Sequence, residues 1–189
     1  MAAELGVRLP AGATLVVASS MPVRDVETFF PAREAPPRVL SNRGANGIDG
    51  TVSTAFGVAA SGSGPTVLLI GDVALAHDIG GLLATRRLGL PLLIVLLNND
   101  GGGIFHFLPV EREGADFERH VATPHGLDFA HAAALYGLGF ERAEDPEAFR
   151  EALDRAGATI IEVRTDRAEN VELHRRVWQA VLQSVRGAA

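Results

Sequence analysis

Residues 66–103 read TVLLIGDVALAHDIGGLLATRRLGLPLLIVLLNNDGGG, and this stretch determines the fold class. Two of its runs, residues 66–70 and 92–97, are apolar without interruption after Thr66, which is typical of parallel strands covered on both faces. Residues 78–88 between them have helical character and are followed by Gly89 and Pro91, which terminate helices. A strand, a helix and a strand in this order predict a right-handed crossover and a parallel pair of strands.

Similar strand-like runs occur on both sides of this stretch, at residues 14–18, 38–40 and 159–163. We therefore predict the α/β class, as a doubly wound, open parallel sheet with helices on both faces, in one domain that comprises residues 1–189. Residues 31–37 are predicted to form a loop, and residues 100–126 a long functional loop rich in glycine. A C-terminal helix is predicted over residues 166–186, with Val171, His174, Val177, Trp178 and Val181 on one side.

The composition is that of an ordinary α/β domain and excludes several functions. The 189 residues suffice for one domain with a sizeable core, and the formal net charge is −6. Scattered basic residues argue against nucleic-acid binding, and no apolar run is long enough to cross a membrane. The absence of cysteine excludes disulfides and thiolate chemistry. Together with a start that does not resemble a secretory signal, it favours a cytoplasmic protein.

Polar residues and glycines follow both strands of residues 66–103. Gly71 and Asp72 come directly after the first strand, and Asn98, Asn99 and Gly101 come after the second. Ligands of open α/β sheets bind at the carboxyl ends of the strands, so these residues are expected to lie side by side. The Asp72 carboxylate, the Asn99 amide and the Gly101 carbonyl are oxygen ligands of the kind that magnesium prefers. Either motif alone is most simply a turn, but together they predict a site for a magnesium-bound diphosphate.

The same residues resemble the thiamine-diphosphate motif, in which Gly-Asp is followed one helix and one strand later by Asn-Asn. Four segments resemble, more narrowly, the MenD family of the menaquinone pathway, the 2-succinyl-5-enolpyruvyl-6-hydroxy-3-cyclohexene-1-carboxylate synthases. They are SSMPVRD (residues 19–25), SNRGANGIDGTVSTAFG (41–57), NNDGGGIFHFLP (98–109) and ENVELHR (169–175). The resemblance extends over nearly the whole chain. Asp100 stands where many relatives have asparagine, but the residue expected to bind the metal, Asn99, is retained.

This resemblance implies thiamine diphosphate as the cofactor, held through Mg²⁺ or Mn²⁺. Asp72, Asn99 and Gly101 would bind the metal, and Gly71 would contact the diphosphate beside it. Ile48 would lie beneath the cofactor and force it into its bent conformation. An isoleucine in the ordinary core is the simpler interpretation of Ile48 taken alone.

The resemblance also implies a transferase reaction of menaquinone biosynthesis. In it, 2-oxoglutarate is decarboxylated and the resulting succinyl unit is added to isochorismate. Both substrates carry carboxylates, which arginine binds bidentately. Ser20, Arg24 and Arg43 are accordingly expected to contact substrate carboxylates. The alternative is that each arginine forms only a local ion pair on the surface, as Arg24 would with Asp25.

Apolar residues follow the glycines of residues 101–103. By the same resemblance Ile104, Phe105 and Leu108 would form a wall beside the reactive carbon and keep water away from it. Anchoring of the loop is the alternative role for these three residues. His106 lies near the predicted site, but no feature of the sequence gives it a role. The spacing of the other histidines does not match a zinc site, and neither a nucleophile elbow nor a dinucleotide fingerprint is present.

Enzymes of this kind need a second domain, which binds the aminopyrimidine and supplies the activating glutamate, usually from a neighbouring subunit. No second sheet-forming region is present in this sequence, so no catalytic residue is assigned to it. We expect this chain to be inactive alone and to act within a homodimer or homotetramer of the full-length enzyme. Two alternatives stay open: a stand-alone module that pairs with a separate pyrimidine-binding chain, or another thiamine-diphosphate carboligase or decarboxylase.

Overall fold

The computed structural model describes residues 1–187 and shows strands and helices alternating along the chain. The strands are β1 (Thr14–Val17), β2 (Arg38–Leu40), β3 (Thr66–Gly71), β4 (Leu92–Asn98), β5 (Gly139–Arg142) and β6 (Ala158–Arg164). The α-helices are α1 (Ala2–Arg8), α2 (Met21–Phe29), α3 (Thr51–Ala60), α4 (Asp72–His77), α5 (Ala84–Leu88), α6 (Ala115–Phe117), α7 (Phe129–Tyr136), α8 (Pro146–Ala152) and α9 (Arg167–Gly187). Tighter 3-10 turns occupy Ile79–Leu83, Gly103–Phe107 and Pro109–Glu113, and a π-helical turn occupies Glu118–Ala122.

Within residues 1–187 the strands form one parallel sheet in the order β2-β1-β3-β4-β6-β5. The predicted doubly wound α/β class is therefore confirmed. The chain passes from β1 outward to β2 and then returns to β3 on the other side of β1. The direction of winding thus reverses between β1 and β3, and ligands of such sheets bind outside the carboxyl ends of the strands at this point.

Helices cover both faces of the sheet, and the strand residues alternate between them. Leu68 of β3 belongs to a buried cluster with Phe56 of α3 and Phe129 of α7. Its neighbour Leu69 belongs to the cluster on the opposite face, which includes Phe149 of α8. Each of these side chains is almost completely removed from water, so the apolar runs of β3 and β4 are explained by burial on two sides.

One charged side chain lies inside the sheet. Glu162 of β6 has no solvent exposure, and it accepts hydrogen bonds from Asn98 Nδ2 at 2.7 Å and from Arg142 Nε at 2.6 Å. These bonds join β6 to both of its neighbouring strands. A buried carboxylate is tolerated only when it is paired in this way. Glu162 and the side chain of Asn98 therefore serve the architecture of the sheet.

The single helix predicted over residues 78–88 is wrong in its extent. Helical structure begins at Asp72, directly after β3, and continues as α4, a 3-10 turn and α5. The interruption has two causes. Asp78 turns its carboxylate to the start of α3, where it accepts hydrogen bonds from the amides of Val52 at 2.7 Å and Ser53 at 3.3 Å. In addition, a Cβ at Gly81 would lie only 3.0 Å from Val52 Cβ, so α3 passes very close to the turn.

Other differences lie in polar parts of the chain. The sequence did not predict β5, a half-exposed edge strand, and residues 100–126 are largely short helical turns instead of an open loop. The predicted C-terminal helix is confirmed as α9, in which Val171 and His174 are buried but Trp178 is 51% exposed. Within residues 1–187, none of the helices has the length and apolar character needed to cross a bilayer.

Candidate functional site

A large cavity opens at the carboxyl ends of β1, β3 and β4, beside the point where the winding reverses. Its volume is about 730 Å³, which lies in the usual range of small-molecule sites. Ten of the residues predicted to bind cofactor, metal or substrate line this cavity: Ser20, Arg24, Arg43, Ile48, Gly71, Asp72, Asn99, Gly101, Ile104 and Phe105. Leu108, the eleventh, lines a smaller neighbouring cavity of about 360 Å³.

The Asp72 carboxylate lies at the centre of this arrangement, only 2% exposed. Its Oδ1 accepts a hydrogen bond from the Val73 amide at 2.7 Å. Its Oδ2 accepts bonds from the amides of Asn99 at 3.1 Å and Gly101 at 3.0 Å. The same bonds join the loop after β4 to the end of β3.

The two consecutive asparagines of β4 and its loop have different roles. The side chain of Asn98 points into the sheet, toward Glu162, and its Oδ1 accepts a bond from the Asp100 amide at 3.1 Å. Asn99 faces the cavity, and its Oδ1 is buried without a hydrogen-bond partner among residues 1–187. Buried amide oxygens are normally bonded, so an unpartnered one indicates a missing ligand or ion.

The glycines after Asn99 are required because other groups approach them closely. Gly101 has a φ of 138°, and a Cβ there would collide with the carbonyl oxygen of Ala122. A Cβ at Gly103 would collide with the Asn99 amide itself. The Gly101 carbonyl accepts the Gly103 amide at 3.0 Å and keeps a second lone pair for another partner.

Asp100 and His125 form a pair that contacts Asp72 through the histidine ring, and the sequence did not single out this pair. Asp100 Oδ1 accepts hydrogen bonds from the amides of Gly126 at 2.7 Å and His125 at 3.0 Å. The bond from Gly126 is the main cause that lowers the pKa of Asp100. Asp100, which stands where many relatives have asparagine, therefore places an ionised carboxylate against the backbone amides of His125 and Gly126.

The His125 ring lies against Asp72. Its Nδ1 accepts a hydrogen bond from the Leu127 amide at 3.0 Å. Nε2 is 3.2 Å from Asp72 Oδ2 but forms no hydrogen bond within the described residues. No ligand pattern in the sequence indicates this contact, because it depends on the loop that Asp100 holds.

The opposite side of the cavity carries the predicted cationic residues. Arg24 Nη1 donates to the Ser20 carbonyl at 2.7 Å, and Arg43 Nη1 lies 3.5 Å from Ser19 Oγ. Neither arginine has a carboxylate within ion-pair distance among the described residues, so the local pair of Arg24 with Asp25 is not formed. Ser20 has a φ of 72°, which is rare for serine and often found at functional sites. Gly47 lies so close to Ser19 that a Cβ would collide with its hydroxyl, which brings the Arg43 loop to the end of β1.

The predicted apolar residues also line the two cavities. Ile48 is held in a tight turn, where its amide donates to Asn46 Oδ1 at 2.8 Å. Ile104 and Phe105 line both cavities, and Phe105 is 39% exposed at their junction. His106 points away, with Nε2 3.5 Å from Glu118 Oε1 and its ring packed edge-on against Phe117.

The donor groups on the Asp72 side fit a hard divalent cation. They are a buried carboxylate, an unpartnered amide oxygen and a backbone carbonyl, and all of them are oxygen atoms. Mg²⁺ and Mn²⁺ prefer such ligands and complete their coordination with phosphate oxygens. The residues present therefore fit a divalent metal ion, and Asp72, Asn99 and the Gly101 carbonyl are the groups that would hold it.

Comparison with known proteins agrees with this geometry. The family model described as "Thiamine pyrophosphate enzyme, C-terminal TPP binding domain" matches residues 21–163. The chain is 52% identical to the 2-succinyl-5-enolpyruvyl-6-hydroxy-3-cyclohexene-1-carboxylate synthase of Chloroflexus aurantiacus and 50% identical to that of Geobacillus thermodenitrificans. These alignments cover 95% and 96% of this chain but 31% and 32% of the relatives. The chain thus spans about a third of the length of the curated relatives that it matches, and the predicted resemblance to these synthases is confirmed.

A solved structure supports the fold. It is described as a thiamin diphosphate-dependent enzyme from Mycobacterium smegmatis, and it superimposes with a TM-score of 0.65 at 24% identity. The match covers 87% of this chain and 31% of that one. At this level of identity the likeness concerns the fold alone.

Replacing Gly101 by alanine is predicted to lower the free energy of unfolding by about 1–3 kcal/mol, because the added Cβ meets the Ala122 carbonyl in a strained backbone conformation. Urea unfolding of the metal-free chain, followed by circular dichroism, measures the loss. Gly80→Ala is the matched control, since nothing lies within 4 Å of a Cβ there. Its effect is expected to stay within about 0.5 kcal/mol. Equal losses in the two variants would contradict the close approach at Gly101.

Proposed function

The chain belongs to the thiamine pyrophosphate enzymes, as their C-terminal TPP binding domain, and we propose that it is the diphosphate-binding part of a menaquinone-pathway synthase. The proposed reaction is the decarboxylation of 2-oxoglutarate and the addition of the succinyl unit to isochorismate. The observation that carries the proposal is the Asn99 oxygen, which lacks a partner among residues 1–187, together with the buried Asp72 carboxylate. The same cavity contains two arginines that form no ion pair within those residues.

The Asp72 side of the cavity is the proposed metal-binding side, and it would anchor the cofactor. Asp72, Asn99 and the Gly101 carbonyl would hold Mg²⁺ or Mn²⁺, which neutralises the diphosphate and fixes its position. Gly71 leaves room for a ligand to approach the backbone, since nothing lies within 4 Å of a Cβ there. Ile48 would support the cofactor from below. Once bound, thiamine diphosphate supplies the carbon that adds to the 2-oxo group and accepts the electron pair left by CO₂.

The cationic side selects the substrates. Arg24 and Arg43 each carry a fixed positive charge without a carboxylate partner in the described chain, and Ser20 lies beside them in the cavity lining. A guanidinium group binds a carboxylate through two parallel hydrogen bonds. Two free arginines suit substrates with several carboxylates, such as 2-oxoglutarate and isochorismate. A carboligase for a monocarboxylate would not need both, which favours the synthase over that alternative.

The apolar wall protects the reacting atoms. Ile104 and Phe105 separate the metal-binding side from the smaller cavity that Leu108 lines. Exclusion of water strengthens the electrostatic contacts in the site and prevents premature protonation of the decarboxylated product.

The rest of the enzyme is proposed to lie outside this chain. Residues 1–189 would form the diphosphate-binding domain, and the remaining two thirds of a full-length synthase would contain the pyrimidine-binding and central domains. The activating glutamate would come from the pyrimidine-binding domain of a neighbouring subunit, in a cytoplasmic homodimer or homotetramer. The domain alone would then be catalytically silent, as would a stand-alone module that lacks a pyrimidine-binding partner.

Asp72→Ala in the full-length synthase is predicted to weaken magnesium-dependent binding of thiamine diphosphate by more than about 100-fold, because it removes a metal ligand and the acceptor that holds the Asn99 loop. Calorimetric titration of the cofactor in the presence of Mg²⁺ measures the affinity. Asp154→Ala is the control, since Asp154 is exposed between α8 and β6, at the opposite edge of the sheet. An unchanged affinity of Asp72→Ala for the cofactor would show that Asp72 is not a metal ligand.

Arg43→Ala is predicted to raise the KM for 2-oxoglutarate by about 10- to 100-fold, the loss expected for a charge-assisted pair of hydrogen bonds. The affinity for the cofactor should change by less than about threefold, because Arg43 lies on the other side of the cavity. Steady-state kinetics and cofactor titration provide the two numbers. Arg87→Ala, an exposed arginine at the end of α5, serves as control. Equal effects on KM and on cofactor affinity would make Arg43 a structural residue.

A further inference from the structure

A buried histidine and a partly buried aspartate form a pair at the edge of the large cavity, outside the roles described so far. His174 Nε2 of α9 lies 2.8 Å from Asp25 Oδ1 of α2, across 149 residues of sequence. His174 is 1% exposed, and Asp25 lines the cavity directly after Arg24. An ionised carboxylate is only an acceptor, so the ring nitrogen donates to Asp25.

Three aromatic rings fix the position of His174. The centroids of Phe29, Phe107 and Trp178 lie 5.0, 5.6 and 5.8 Å from the centroid of its ring. Such packing leaves little room for water or for another ring orientation. The histidine therefore presents Nε2 to Asp25 in one defined geometry.

The charge of Asp25 is the reason why this pair matters. Among the described residues Asp25 and Asp72 are the two acids that line the large cavity, and Asp72 is held on the metal-binding side. An unpaired carboxylate near Arg24 would repel anionic substrates and would compete with them for the guanidinium group. Burial raises the pKa of Asp25, and the hydrogen bond from His174 opposes that rise.

Arg24 shows the result of this arrangement. It bonds to the Ser20 carbonyl and not to the adjacent Asp25. Glu27, which lines the smaller cavity with Arg24, forms no ion pair with it in the described chain. The guanidinium thus keeps its charge available toward the cavity although two acids lie within one helical turn of it.

We propose that His174 sequesters the Asp25 carboxylate, and thereby keeps Arg24 free to bind a carboxylate of the substrate. The two residues are positioning residues that determine selectivity for dicarboxylates; neither touches the reacting atoms. This inference rests on the proposed function of the cavity, because it assumes that Arg24 binds a substrate anion.

The test is a set of variants of the full-length synthase, with KM for 2-oxoglutarate, kcat and cofactor affinity measured for each. His174→Phe keeps a ring among the aromatic side chains but removes the donor. It is expected to raise KM by about tenfold, with cofactor affinity unchanged within about threefold. In the double variant with Asp25→Asn no carboxylate remains to be sequestered, and KM should return to within about threefold of the parent value. A purely structural role of the pair predicts no such recovery.

Asp25→Glu is a second variant in case His174→Phe does not fold, which thermal unfolding will reveal. The longer side chain keeps the charge but no longer fits the geometry of His174, so KM should again rise. Unchanged KM in the folded single variants, or a double variant as impaired as His174→Phe, would overturn the proposal.

Arg24→Gln separates this inference from the function on which it rests. If Arg24→Gln raises KM but the His174 and Asp25 variants do not, the proposed sequestration of Asp25 is wrong and the proposed role of Arg24 stands. If Arg24→Gln leaves KM unchanged, the proposed role of Arg24 is wrong and the inference is overturned with it.

Discussion

The hydrogen bonds from the Val73, Asn99 and Gly101 amides to the Asp72 carboxylate are the interaction on which the site depends. They fix the loop after β4 against the end of β3, at the edge of the sheet where ligands bind. The loop can take this path only because its glycines tolerate close contact with Ala122 and Asn99. The Asn99 Oδ1 atom, which has no hydrogen-bond partner among residues 1–187, and the Gly101 carbonyl are thereby brought beside a carboxylate that three backbone amides hold in place.

The cavity combines two sides of opposite charge that the order of the strands brings together. Asp72 comes from β3, whereas Arg24 and Arg43 follow β1 and β2 on the other side of the winding reversal. We propose that the first side binds a diphosphate with its metal and that the second side binds a substrate carboxylate. Ile104 and Phe105 add apolar side chains to the lining, where they would shield the reacting atoms from water. The proposed role of His174 is to hold the Asp25 carboxylate through a hydrogen bond, so that this negative charge does not pair with Arg24 on the cationic side.

The sequence predicts those features that depend on local pattern. The unbroken apolar runs of β3 and β4 indicate buried parallel strands, and the polar residues that follow them indicate a shared site. The sequence could not predict the contacts that side chains make with distant parts of the chain. These are Asp78 at the start of α3, Glu162 between its neighbouring strands, His125 beside Asp72 and His174 with Asp25. Each joins segments whose proximity exists only in the folded sheet. The edge strand β5 was missed for a related reason, because the short, half-exposed GFER lacks an apolar run.

Anomalous diffraction from Mn²⁺ tests the central claim most directly. Crystals of the full-length synthase, grown with Mn²⁺ and thiamine diphosphate, should show a strong anomalous peak. We expect it about 2.0–2.3 Å from the Asp72 carboxylate, Asn99 Oδ1 and the Gly101 carbonyl oxygen. Cofactor density without a metal peak at these three oxygen atoms, or a peak at other residues of the chain, would contradict the account.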